Sequence, residues 1–142
     1  MKSKAALIAR ILLGLMFFVF GLNGFLNFIE QPEGTPEGEV FLTALIDTGY
    51  LMTMIKVIET TCGALLLIGY FVPLALVLLA PIIVNILGFH LFLDPSAQGL
   101  GMAIAILGLH LFVTSQHWNA YGPLLVAKAG GSEAPSGEGG AD

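Results

Sequence analysis

The stretch Leu51-Met-Thr-Met-Ile-Lys56-Val-Ile-Glu59-Thr-Thr-Cys62-Gly63-Ala-Leu-Leu-Leu-Ile-Gly69-Tyr70 decides the fold. At about 1.5 Å per helical residue it is long enough to cross the roughly 30 Å hydrocarbon core of a bilayer. It is apolar except for a lysine and a glutamate three residues apart, which fall on one face of a helix. A charge at membrane depth costs roughly 2.5–3.5 kcal/mol on insertion scales. Such residues persist when they pair, face a wet cavity or perform a function.

The rest of the chain has the same character. Of 142 residues, 56% are hydrophobic and 11% charged, and the mean hydropathy is +0.90. A soluble domain carries about 25% charged residues. The charges cluster at the ends and in loops, which points to an integral membrane protein. The net charge is −5 and nothing resembles a basic patch, which excludes a nucleic-acid partner. Cys62 is the single cysteine, so a redox dithiol would need a partner's thiol. His90, His110 and His117 match no metal-site spacing.

Working outward, the first transmembrane helix is expected over residues 6–28. It is read as uncleaved, because its apolar part is too long for a signal peptide and no small-x-small cleavage site follows. Glu30 to Gly38 is a loop of prolines, glycines and acids. Thr35 then suits an N-cap, with Pro36 in the first turn. Val40, Phe41, Ala44, Leu45 and Thr48 recur at helical spacing. A short amphipathic helix is expected over 37–48 at the membrane surface, ended by Gly49. The second transmembrane helix covers 51–70 and the third 73–93, interrupted by Pro81. The fourth covers 98–119. The fold class is therefore all-α: a four-helix transmembrane bundle with a short amphipathic helix between helices 1 and 2. Residues 1–122 form the transmembrane domain and 123–142 a disordered cytoplasmic tail, which from Lys128 is Gly, Ser, Glu, Pro and Ala.

Orientation follows from the basic residues. Lys2, Lys4, Arg10 and Lys128 belong to the terminal side, whereas the opposite loops hold acids and no Lys or Arg. Both termini are expected in the cytoplasm. Tyr50 falls at the outer interface, and Tyr70, Trp118 and Tyr121 at the inner one.

Orientation turns spacing into depth. Lys56 and Glu59 lie roughly 7–12 Å below the outer surface at 1.5 Å per residue. Asn23, Asn27 and Glu30 share a face in the outer part of the first helix, and Asn85 reaches a similar depth on the third, with His90 and Asp94 above it. The expected ligand-binding residues are Lys56, Glu59, Asn23, Asn27, Asn85 and His90. Two readings of this layer are open. It is one wall of an externally open site, with Lys56 meeting an anionic or carbonyl group, or it is an ion pair and amides that lock helix packing. Interhelical hydrogen bonds contribute only about 0.6 kcal/mol on average, so a whole cluster is a poor stability device. Asn85 either faces a ligand or satisfies the carbonyl that Pro81 frees. His90 either pairs with Asp94 or contacts interfacial water. Arg10 either snorkels to headgroups or makes a contact inside the bundle. His110 fits an interhelical hydrogen bond, and Cys62 a small packing residue. Gly14, Gly21, Gly63, Gly101 and Gly108 suit close helix approach.

Three stretches also carry a family resemblance. Arg10-Ile-Leu-Leu-Gly14-Leu-Met-Phe17-Phe18-Val-Phe-Gly21-Leu-Asn23 resembles the opening helix of the DoxX family of small membrane proteins. Lys56-x-x-Glu59-x-x-x-Gly63-x-Leu65-Leu66-Leu67-x-Gly69, followed by Pro73-Leu74-Ala75, resembles its second helix and turn. Pro81-x-x-x-Asn85 and Phe89-His90-Leu91-Phe92 resemble its third. The resemblance covers about residues 6–118. It implies a multi-pass protein of the bacterial inner (plasma) membrane, and association with oxidoreductase assemblies, including thiosulfate oxidation coupled to quinone. Expected on this basis is a membrane subunit that is not catalytic on its own. It would bind a quinone or similar lipophilic molecule in the outer half, with no covalent cofactor and no metal. Its redox centres would reside in a soluble or membrane oxidoreductase partner. A small oligomeric transporter, using the Lys56–Glu59 pair as a gated ion site in a homo-oligomer, and a structural membrane adaptor are the alternatives.

Overall fold

A computed structural model describes residues 3–30 and 33–128; the tail expected to be disordered lies, from residue 129 onward, outside the described residues. Five helices account for the bulk: α1 (Lys4–Leu26), α2 (Pro36–Asp47), α3 (Leu51–Ile68), α4 (Val72–Phe92) and α5 (Ala97–Gln116). A one-turn helix α6 (Trp118–Tyr121) and a 3₁₀ turn (Gly122–Leu125) follow. The described residues contain no strand. Four of the helices, α1, α3, α4 and α5, are long and apolar enough to cross a membrane.

Their boundaries follow from local chemistry. Ser3 caps α1 by accepting a bond from the Ala6 N–H. Asn27 ends it in the left-handed conformation, φ 49°, which asparagine tolerates better than most residues. Thr35 caps α2 through the Gly38 N–H, with Pro36 in the first turn as expected. The Thr48 hydroxyl donates to the Leu45 carbonyl and accepts from the Leu51 N–H, so it splices α2 to α3. Gly69, at φ 79°, ends α3. Ser96 caps α5 through the Gly99 N–H. The fourth span stops short of the expected residue 119. His117 Nδ1 takes the Val113 carbonyl, which the His117 backbone N–H would otherwise use. That N–H turns to Thr114 instead, and the helix breaks. Pro81 sits inside α4 without dividing it.

In the bundle α1 neighbours α3 and α5, and α4 neighbours the same two, which closes a ring of four. Leu13, Phe17, Cys62, Leu66, Leu76, Leu79, Ile83 and Val113 fill the centre. Only a third or less of each helix's most apolar window is buried. Leu7, Ile8, Leu12, Val57, Val84, Ile104 and Leu111 point outward and are exposed. A soluble bundle would not present so much apolar surface to water; a lipid-facing one does.

The tightest seam is between α1 and α3. A Cβ placed on Gly63 would stand 2.8 Å from both the Gly14 carbonyl oxygen and Phe18 Cα, and one on Gly21 would stand 2.6 Å from the Thr60 nitrogen. Glycine is required where backbones come this close. Gly101 and Gly108 do not follow the expectation of close approach, since neither has an atom within reach of an added Cβ. Tyr121 departs from the expected interfacial belt as well. It is buried, and its hydroxyl donates to the Pro73 carbonyl at 3.0 Å, tying α6 to the start of α4.

Candidate functional site

Lys56 and Glu59 lie one helical turn apart on α3 and form an ion pair, Nζ to Oε2 3.0 Å. It is the one ion pair among the described residues. Its two halves differ in environment. The Glu59 side chain is 5% exposed, and that of Lys56 24%. An unpaired charge this buried is costly, so the partner matters. The ammonium spends one of its three N–H donors on that task. The donors that remain sit on a partly exposed group.

The backbone around the pair is shaped to receive it. The Thr60 hydroxyl donates to the Lys56 carbonyl at 2.7 Å. Gly24 of α1 lies opposite, where a Cβ would stand 2.6 Å from Lys56 Cδ. The lysine stem therefore crosses α1 at a glycine. Gly24 and Thr60 are the members of this site that composition and charge alone do not pick out. The signal was present in the spacing, since Gly14, Gly21 and Gly24 recur at intervals of seven and three, which places them on one helix face.

The amides expected to join the pair make their bonds elsewhere. Asn23 is buried, but its Oδ1 accepts from the Ile29 N–H at 2.8 Å. It caps the end of its own helix. Asn27 is the exposed left-handed cap of the same helix. Asn85 is exposed, and its Nδ2 donates to the Pro81 carbonyl at 2.9 Å. The carbonyl that Pro81 deprives of a helical donor is that of Val77, four residues earlier, so Asn85 does not repair it. His90 Nδ1 lies 3.4 Å from the Asp94 backbone oxygen, and not on its carboxylate. A carbonyl only accepts, so Nδ1 is the protonated nitrogen. His90 also meets Phe89 edge-on, ring centroids 5.1 Å apart. Of the six residues expected to form the site, the described contacts join Lys56 and Glu59.

Two cavities lie at opposite ends of the bundle. A groove of about 560 Å³ lies between α2 and the end of α4, lined by Pro36, Glu37, Val40, Phe41, Ala44 and Leu93. It is at the same end of the bundle as the pair, and almost wholly apolar in lining. Phe41 and Phe89, centroids 5.8 Å apart, and a bond from the Thr35 hydroxyl to the Leu93 carbonyl hold α2 there. A second cavity of about 190 Å³ opens at the other end, between α1 and α5. Arg10 reaches it. Its guanidinium packs against Gly69, where a Cβ would stand 2.7 Å from Nη1, and its Nε is buried. The side chain is therefore held against the end of α3. His110 behaves as an interhelical anchor, its Nε2 2.8 Å from the Leu76 carbonyl of α4. Among the described residues no three His, Cys, Asp or Glu side chains gather to hold a metal ion.

The family model described as DoxX matches residues 5–91, more than half of the chain, a span that takes in α1, α2, α3, nearly all of α4 and the Lys56–Glu59 pair. Neither a curated protein nor a solved structure matches the chain.

Proposed function

The chain belongs to the DoxX family, and from that premise we propose that it is a non-catalytic membrane subunit of an oxidoreductase system, holding a quinone or similar lipophilic carbonyl compound at the acidic end of its bundle. One observation carries the reading: the Lys56 amine is paired with a buried glutamate, yet it is itself partly exposed and has donors to spare. A carbonyl oxygen accepts a hydrogen bond from such an ammonium at about 2.7–2.9 Å. Lys56 would hold the carbonyl, and Glu59 would hold Lys56. The groove beneath α2 offers an apolar bed at the same end for a ring or chain. A quinone, when bound, supplies two-electron redox chemistry; this chain's residues bind and orient it, and the electrons come from a partner. The chain's one cysteine, Cys62, is buried in the core and makes no dithiol.

The adaptor reading rests on its own observation. The Lys56 stem and Thr60 are pressed against Gly24 and Gly21, so the pair is also part of the α1–α3 seam. Native mass spectrometry of the protein in mild detergent separates the two. The ligand reading expects a co-purifying lipophilic molecule that disappears in the double variant Lys56→Met, Glu59→Gln, which keeps the stem and removes both charges. If that variant folds normally and the wild type carries no such molecule and takes up none, the pair is only a packing device.

A further inference from the structure

The cavity at the terminal end is lined by Lys4, Leu7, Arg10, Val113, Gln116 and His117, among others, and its lining contains no carboxylate. Its volume, about 190 Å³, compares with about 30 Å³ for one water in the liquid. Arg10 contributes to the wall of the cavity, and its Nε is buried without a hydrogen-bond partner. A buried donor left unpaired is costly, and more so when charged. The only ion pair among the described residues lies at the opposite end, so Arg10 has no carboxylate partner there. His117 fixes its Nδ1 proton on the Val113 carbonyl. Ser3 and Gln116 add polar groups, and Ala6, Leu7 and Val113 make the wall's apolar part.

We propose that this cavity binds a phosphate group, carried by an anionic phospholipid of the leaflet that surrounds it. The guanidinium supplies a planar fork that matches phosphate oxygens. Lys4, exposed on the first turn of α1, adds a second positive charge, and the apolar wall accommodates the glycerol and first methylenes. A soluble phosphate would share the polar half of these contacts but leave the apolar wall unused. The site is at the far end of the bundle from Lys56, and its failure leaves the reading of that pair untouched.

The test uses the full chain in mild detergent and native mass spectrometry. The probes are phosphatidylglycerol, diacylglycerol as the phosphate-free control, and inorganic phosphate as the soluble source. Saturable retention of phosphatidylglycerol over diacylglycerol is expected. Arg10→Gln should weaken it roughly tenfold or more, the loss of a charged hydrogen bond. Lys4→Gln and Leu7→Trp, at exposed positions, should weaken it by about threefold or more, and they decide the matter if Arg10→Gln does not fold. Inorganic phosphate bound as tightly as the lipid, and lost in the same variants, would support the phosphate chemistry and assign a soluble source. Equal retention of diacylglycerol, or phosphatidylglycerol retention unchanged in Lys4→Gln and Leu7→Trp and in any folded Arg10→Gln, would overturn the proposal.

Discussion

Gly24 of α1 and Lys56 of α3 touch so closely that a Cβ on the glycine would stand 2.6 Å from the lysine Cδ. Ten and three residues earlier in the helix-1 seam, Gly14 and Gly21 meet α3 backbone or Cβ atoms rather than a flexible stem. That difference sets the first prediction. Gly63→Ala forces its Cβ into the Gly14 carbonyl and Phe18 Cα, neither of which can swing away. It should destabilise the protein by about 1–3 kcal/mol, the usual range for overpacking. Gly24→Ala meets only the lysine stem, so it should cost less stability while displacing the ammonium. Gly108→Ala, in open surroundings, should be neutral or stabilising by up to about 1 kcal/mol. Thermal melts in detergent rank the three.

The ion pair predicts a coupling. Lys56→Met leaves the Glu59 carboxylate buried and alone, and Glu59→Gln leaves the ammonium without its anion. Each single change should destabilise, by less than the roughly 3–5 kcal/mol of a fully buried pair because Lys56 is partly exposed. The double variant should recover most of the loss. A double-mutant cycle of melting temperatures measures this; additive losses would mean that the two charges do not depend on each other.

Tyr121 predicts a pH effect. Burial raises its phenol above the usual value of 10.0, because the phenolate is disfavoured where water is scarce. The folded state therefore holds its proton to higher pH than the unfolded state. That contribution is complete below pH 10.0 and is lost as pH rises through the folded value. Tyr121→Phe should flatten this alkaline decline. At neutral pH it should cost about 1 kcal/mol, the worth of the bond to the Pro73 carbonyl. Denaturation curves for both proteins between pH 7 and 11 report the difference.

These relationships also mark what was legible from the residues alone. The four spans were, because their apolar runs have the length of a bilayer crossing. So was the Thr35 cap, whose chemistry is local. The Lys56–Glu59 bond was legible too, since residues three apart on a helix face each other whatever surrounds them. The convergence of Asn23 and Asn85 on that pair was not, because depth along a helix does not fix where an amide finds its partner. Both amides had a backbone partner within six residues, and both took it. His117 shows the same competition, its ring displacing a helical bond and ending α5 early. The α1–α3 seam was half visible: Gly24 lies in register with Gly14 and Gly21, but only the packed structure puts the Lys56 stem across it.

The central claim is that the Lys56 ammonium, held by Glu59, receives the carbonyl of a lipophilic ligand. The most direct measurement is a titration of the purified wild-type protein and the Lys56→Met, Glu59→Gln double variant with a short-chain quinone, read by intrinsic fluorescence of Trp118 or by equilibrium partition. The account predicts saturable binding to the wild type and at least roughly tenfold weaker binding to a folded double variant, the worth of one charged hydrogen bond. Equal binding to the two proteins, or none to either, would contradict it.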